Sequence, residues 1–196
     1  MSTVTIIKDT SANPAPLGLT GFGLTTILLN IHNAGLYPNN SMILGMDIFV
    51  GGVAQIIAGV LESKKGNSFG ATAFTAYGTF WLSLVAIWAL PKIGVTDPAN
   101  EMAMGCYLAL WCLFTFGMFV GTFRLTLALL AVFGTLTLLF GLLAIGEFTG
   151  SAAIKIIAGY EGILCGLSAM YAAIAQVLNE VYGRTVLPLF PVARKK

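Results

Sequence analysis

NPAPLGLTGFGLTTILLNIHNAGL, residues 13–36, joins a proline-stiffened polar start to a long apolar run. Pro14 and Pro16 have a fixed φ and no N–H, which suits the approach and first turn of a helix, where amide donors have no intrahelical acceptor. Asn13 is placed to cap that turn. From Leu17 to Leu36 the chain has 20 residues without Asp, Glu, Lys or Arg. As a helix, a run of that length covers about 30 Å, the thickness of a bilayer core. Thr26, Asn30 and Asn33 recur at i, i+4 and i+7, one turn after Phe22, so one stripe carries an aromatic ring, a hydroxyl and two amides. In hydrocarbon such groups need partners or water, so the stripe faces protein or a wet cavity.

The remainder extends this pattern. Of the 196 residues, 57% are hydrophobic and 9% charged, far below the roughly 25% charge of soluble domains, and the mean hydropathy is +0.88. The apolar runs are continuous rather than alternating, which selects helices over a transmembrane barrel. The expected fold is an all-α integral membrane protein with six spans at about 17–36, 41–61, 69–90, 102–123, 125–145 and 154–178. Together they form a transmembrane domain over 13–178, between an N-terminal segment 1–12 and a tail 179–196. The polar opening residues and the long, Pro-flanked first run do not fit a cleavable signal peptide.

Six spans put both termini on one side. That side holds Lys8, Lys64, Lys65, Arg124, Arg184, Arg194, Lys195 and Lys196, which is 8 of the 10 basic residues; the other has Lys92 and Lys155. The positive-inside rule then places the termini in the cytoplasm and the protein in the cell inner membrane. Gly117 with Gly121, and Gly162 with Gly166, form two GxxxG pairs, which mark helix contacts either within a protomer or between protomers.

Chemistry is sparse. There is one His, His32, and no catalytic or metal-binding motif, so no enzyme, cofactor or metal is expected. Cys106, Cys112 and Cys165 fall in apolar stretches as small hydrophobes. Asp47 and Glu161 are the acids placed within spans, candidates for proton linkage because burying a carboxylate is costly; Lys155 lies near enough to Glu161 in sequence to pair with it instead. Gln55 sits mid-span as either a pathway donor or a helix-to-helix bond. In the third span Thr72, Thr75, Thr79 and Ser83 make a hydroxyl stripe opposite Tyr77, Trp81, Leu84 and Trp88, and either face is able to line a path. Candidate pathway residues are Asn13, Thr20, Thr26, Asn30, Asn33, Gln55, Thr75 and Thr79.

NPAPLGL before the first span, FGATAFTAYGTFW in the third, LLAIG closing the fifth and NEVYGRTVLP after the sixth resemble the acetate uptake transporters, the bacterial succinate–acetate permeases in particular. The resemblance runs from Asn13 to Pro188, and the short N-terminus is similar to prokaryotic rather than fungal members. It implies homohexamers of six-helix protomers, each with its own path for acetate, succinate or related small carboxylates. It also implies a hydrophobic constriction, carried over by matching strings to Phe22, Tyr77 and Leu136, and so favours the Tyr77 face. Asp47 and Glu161 are not part of that pattern.

A carboxylic acid of ordinary strength is ionised about a thousand to one at neutral pH, so a path must stabilise an anion or wait for a proton. With no Lys or Arg in mid-span, the helix start at 13–18 and the amides and hydroxyls of the first three spans are the groups able to replace hydration weakly. Besides acetate, the alternatives are a channel for another small polar solute, such as formate or ammonia, or a non-conducting membrane sensor. The partners expected are small carboxylates, lipid and copies of the chain, with no nucleic acid.

Overall fold

The computed structural model describes residues 11–192. Lys8, Arg194, Lys195 and Lys196 of the charge count lie outside that range. The described chain forms an all-α integral membrane bundle of six long helices: α1 Ala15–Asn33, α2 Ser41–Lys64, α3 Ser68–Ala89, α4 Glu101–Thr122, α5 Leu127–Thr149 and α6 Ala152–Tyr182. Five, α2 to α6, are long and apolar enough to cross a membrane. α1 is not among these five, and its Gly, Thr and Asn content lies at its contacts with neighbouring helices.

The helix starts follow cap chemistry. The side chains of Asn40, Asn67, Asn100, Thr126 and Ser151 accept from backbone N–H groups of the first turns of α2 to α6, each satisfying a donor that has no intrahelical acceptor. α5 and α6 stop at Gly150 and Gly183, whose φ of 63° and 62° favours glycine. Apolar runs alone place these ends less well: α5 continues to Thr149 and α6 runs from Ala152 to Tyr182, longer than the 154–178 expected from hydropathy.

Beyond Gly183 the chain folds back on the α4–α5 turn. Leu127 N–H donates to Phe190 O at 2.9 Å and Val192 N–H to Leu125 O at 2.9 Å, around an antiparallel bridge between Thr126 and Pro191. Asn179 Oδ1 accepts from the N–H groups of Val186 and Leu187, and Tyr171 donates its hydroxyl to Pro188 O.

α2 is not a uniform α-helix, since Asp47–Ala54 is wound as a π-helix. Such insertions widen the helix and recur at functional positions. Here the wide turns contain Gly51 and Gly52, and a Cβ at Gly51 would lie 2.8 Å from the Trp81 ring and 2.9 Å from Thr25 Cγ2.

α1 packs most extensively against α6. A Cβ at Gly166 would stand 2.8 Å from Gly23 O, and one at Gly162 would strike the Asn30 amide. The Gly162 and Gly166 pair therefore serves close approach within the protomer. Gly117 meets nothing within 4 Å. The outer surface is apolar, with Phe49, Leu110, Leu113, Leu164 and Val181 all exposed, which fits a molecule surrounded by hydrocarbon.

Candidate functional site: a cavity closing on Phe22, Tyr77 and Leu136

At the end of the bundle that carries Ser11 and Val192, a cavity of about 240 Å³ enters between α1, α2, α3, α5 and α6. Its mouth is set by Asn13, Glu62, Asn67, Leu125 and Gln176; its walls are apolar, with Leu19, Phe69, Phe74, Leu129 and Phe133; and Phe22, Tyr77 and Leu136 also line it. These last three are 5%, 3% and 2% exposed, so they lie where the cavity gives way to packed interior.

Tyr77 is held from several sides. Its ring centroid is 6.0 Å from Phe22, 5.7 Å from Phe114, 6.0 Å from Trp111 and 6.1 Å from Phe133. Its hydroxyl donates to Thr115 Oγ1 on α4 at 3.0 Å. This commits the Tyr77 hydroxyl to Thr115, a residue no sequence signal marked.

The polar group left over is Gln55. It is 1% exposed, lines the cavity, and neither amide atom has a hydrogen-bond partner in the protein. A buried amide without partners is costly, and it provides one donor and one acceptor edge to whatever enters. At the mouth, Asn13 Nδ2 donates to Gln176 Oε1 at 3.0 Å, while Asn13 Oδ1 accepts from Ala15 N–H at 3.1 Å. Pro14 rather than Asn13 takes the N-cap position of α1, without a side-chain cap bond; Asn13 instead accepts the first helical amide, Ala15 N–H, and ties the approach to α1 to α6. Glu62, 3% exposed, accepts from Asn67 Nδ2 at 2.8 Å. Glu62, Asn67 and Gln176 were not singled out in the sequence; the ESKKGNS loop gave the first two no visible link to the path.

The remaining expected site residues lie elsewhere. Thr20, Thr26, Asn30 and Asn33 are not among the lining residues. Asn30 Nδ2 donates to Thr26 O at 2.9 Å and Asn33 Nδ2 to Asn30 Oδ1 at 3.0 Å, both bonds within α1, and Gly162 of α6 packs against the Asn30 amide. Thr79 is exposed and donates back to Ala76 O, and Thr75 packs against Gly59 of α2. The hydroxyl face of α3 thus stands away from the cavity, which is lined by the Tyr77 face.

Asp47 is fully buried and Glu161 half-buried; the carboxylate oxygens of both lack hydrogen-bond partners, and neither residue lines the cavity. Lys155 does not reach Glu161: it pairs with Glu147 at 2.9 Å. His32 Nδ1 donates to Tyr37 O at 2.8 Å, a link to the α1–α2 turn. Burial raises the hydroxyl pKa of Tyr37 in that turn, and this hydroxyl donates to Leu28 O. Among the described residues no group of His, Cys, Asp and Glu is arranged to hold a metal.

Comparison with known proteins agrees with this architecture. The model of the GPR1/FUN34/yaaH family matches residues 2–194. The chain belongs to that family. A relative named succinate-acetate/proton symporter SatP, from Escherichia coli strain K12, is 59% identical over 178 residues, 91% of this chain and 95% of the relative. A solved structure described as the bacterial acetate channel SatP superposes with a TM-score of 0.91 at 58% identity, over 92% of this chain and 99% of that one. A more distant family member, named ammonia transport outward protein 2, from Saccharomyces cerevisiae, is 41% identical over 86% of this chain and 62% of its own length. These names describe transporters and a channel, not enzymes, in accord with the absence of catalytic motifs in the sequence.

Proposed function

We propose that this chain moves acetate and related small carboxylates, succinate among them, through a path within each protomer. The cavity ending on Phe22, Tyr77 and Leu136 is the observation that carries this reading, beside the names of the SatP relatives. The mouth and Gln55 replace part of the hydration shell with neutral donors and acceptors, which bind weakly enough for release. The three apolar side chains form the constriction and select by size and wetting. Thr75 and Thr79 are left out of this stretch of the path, as are Thr20, Thr26, Asn30 and Asn33, which do not line the cavity.

In this reading the protein lies in the inner membrane with its termini and the cavity mouth on the cytoplasmic side, supported by the distribution of basic residues. It assembles as a homohexamer within lipid, the arrangement implied by the family resemblance. Asp47 and Glu161 have no contact with the path.

A second reading, export of ammonia, is favoured only by the name of the yeast relative. Uptake of labelled acetate into vesicles containing the purified protein, with unlabelled acetate, succinate, formate and ammonium as competitors, separates the two. Competition by acetate and succinate but not ammonium is expected; competition by ammonium alone would replace the carboxylate reading with the second.

A further inference from the structure

α1, α3 and α5 all begin at the mouth of the cavity, where Ala15, Phe69 and Leu129 line it, and run away from that mouth. Phe22, Tyr77 and Leu136 close the cavity as one layer across these three helices. Four positions farther along each helix stand Thr26, Trp81 and Phe140, which form the next layer about 6 Å beyond the constriction. All three are more than nine-tenths buried. Thr26 does not line the cavity because Phe22, one turn earlier on the same face, stands between them.

This layer holds two hydrogen-bond donors that the protein leaves unused. Neither Thr26 Oγ1 nor Trp81 Nε1 has a partner within the protein. The hydroxyls of Thr122, Thr135 and Thr137 donate to carbonyls of their own helices, the local bond that satisfies a threonine in hydrocarbon. Thr26 forgoes it. The Trp81 indole is seated on the π-helical turns of α2, where a Cβ at Gly51 would stand 2.8 Å from its Cγ and 2.9 Å from its Cδ1. Glycine at 51 therefore leaves room for the pyrrole edge, which carries the N–H. Phe80 packs edge-on against both Trp81 and Phe140, each at 5.2 Å between centroids, and gives the layer an apolar wall. An unpaired buried donor is costly, and two in one layer are satisfied together by a ligand with two acceptor atoms.

We propose that Thr26 and Trp81 form a second carboxylate station on the far side of the constriction, their O–H and N–H donating to the substrate's carboxylate oxygens after it passes Phe22, Tyr77 and Leu136. The indole N–H only donates, which suits an acceptor-rich carboxylate and gives nothing to an ammonium ion. Both donors are neutral, so they favour the anion without trapping it as a Lys or Arg would. Gln55 on the near side and this pair on the far side flank the constriction, and a substrate crossing it exchanges one set of hydrogen bonds for another. This inference rests on the carboxylate reading.

The test uses the full-length purified protein in vesicles, with initial uptake of labelled acetate and of labelled acetamide measured after subtraction of the leak in protein-free vesicles. Acetamide has the shape of acetate but turns an NH2 group toward one of the two donors. Wild type is expected to prefer acetate by about tenfold or more. Thr26→Val keeps the volume and removes the hydroxyl, and Trp81→Phe removes the N–H; each is expected to lower the acetate-to-acetamide ratio about three- to tenfold. Thr26→Ser is expected to restore the ratio, which a packing role for the Thr26 methyl would not do. A wild-type ratio in both monodisperse Thr26→Val and Trp81→Phe would overturn the assignment. Should neither variant fold, wild-type uptake without preference for acetate over acetamide would overturn it equally. Absence of any wild-type acetate uptake would instead overturn the carboxylate reading.

Discussion

Asn13 Nδ2 and Gln176 Oε1 meet at 3.0 Å across 163 residues of chain, joining the start of α1 to the last turns of α6 at the rim of the cavity. The same Asn13 side chain accepts from Ala15 N–H. Asn13→Ala removes both bonds. A loss of about 1 to 2 kcal/mol is expected, together with slower acetate uptake. Gln176→Ala leaves the Ala15 N–H bond in place and is expected to cost about half as much. Thermal unfolding of the two variants in detergent gives the comparison; equal losses would show that the Ala15 N–H bond contributes nothing.

Phe22 and Leu136 are buried where the cavity narrows. Truncation of either to Ala opens space and removes packing, at about 2 to 5 kcal/mol of stability. Both variants are expected to admit larger acids, so that the succinate-to-acetate uptake ratio rises. An unchanged ratio in both would remove these residues from the constriction.

Tyr77→Phe keeps the ring among Phe22, Trp111, Phe114 and Phe133 and deletes the bond to Thr115. The expected cost is about 1 kcal/mol, with acetate uptake within about threefold of wild type, because the hydroxyl is committed to α4 rather than to the path. Tyr77→Ala opens the constriction and loses selectivity. Uptake by Tyr77→Phe as low as that of an inactive variant would place the hydroxyl on the substrate after all.

Gly166→Val brings side-chain atoms against Ile27 and the Gly23 carbonyl, both backbone-constrained positions of α1. No flexible side chain alone is able to yield. The variant is expected to lose the monodisperse peak of wild type on size exclusion, whereas Gly117→Val, with nothing within 4 Å in the protomer, is expected to retain a folded protomer. Equal behaviour of the two would contradict the packing account.

The helical membrane architecture was legible because continuous apolar runs and caps are local signals. Phe22, Tyr77 and Leu136 came from the family resemblance; on the wheel alone, the two faces of α3 were equivalent. What decides between them is tertiary: Gly59 of α2 receives Thr75, and Thr115 of α4 receives the Tyr77 hydroxyl. Nothing local in the sequence marked the π-helical turns at Asp47–Ala54, within which Gly51 and Gly52 lie. The Asn30 and Asn33 amides suggested a wet lining, but a partner helix bearing Gly162 lets them satisfy one another in the packed interior. Glu62 was hidden by its place in a charged loop sequence, where a carboxylate is ordinarily solvated.

The central claim is that carboxylates pass through the cavity that ends on Leu136. Leak-subtracted uptake of labelled acetate by wild type and by Leu136→Trp, each confirmed monodisperse before reconstitution, tests it directly. Uptake by wild type that Leu136→Trp abolishes is the result expected of a path blocked at its narrowest point. Undiminished uptake by the blocked variant, or none by wild type, would contradict the account.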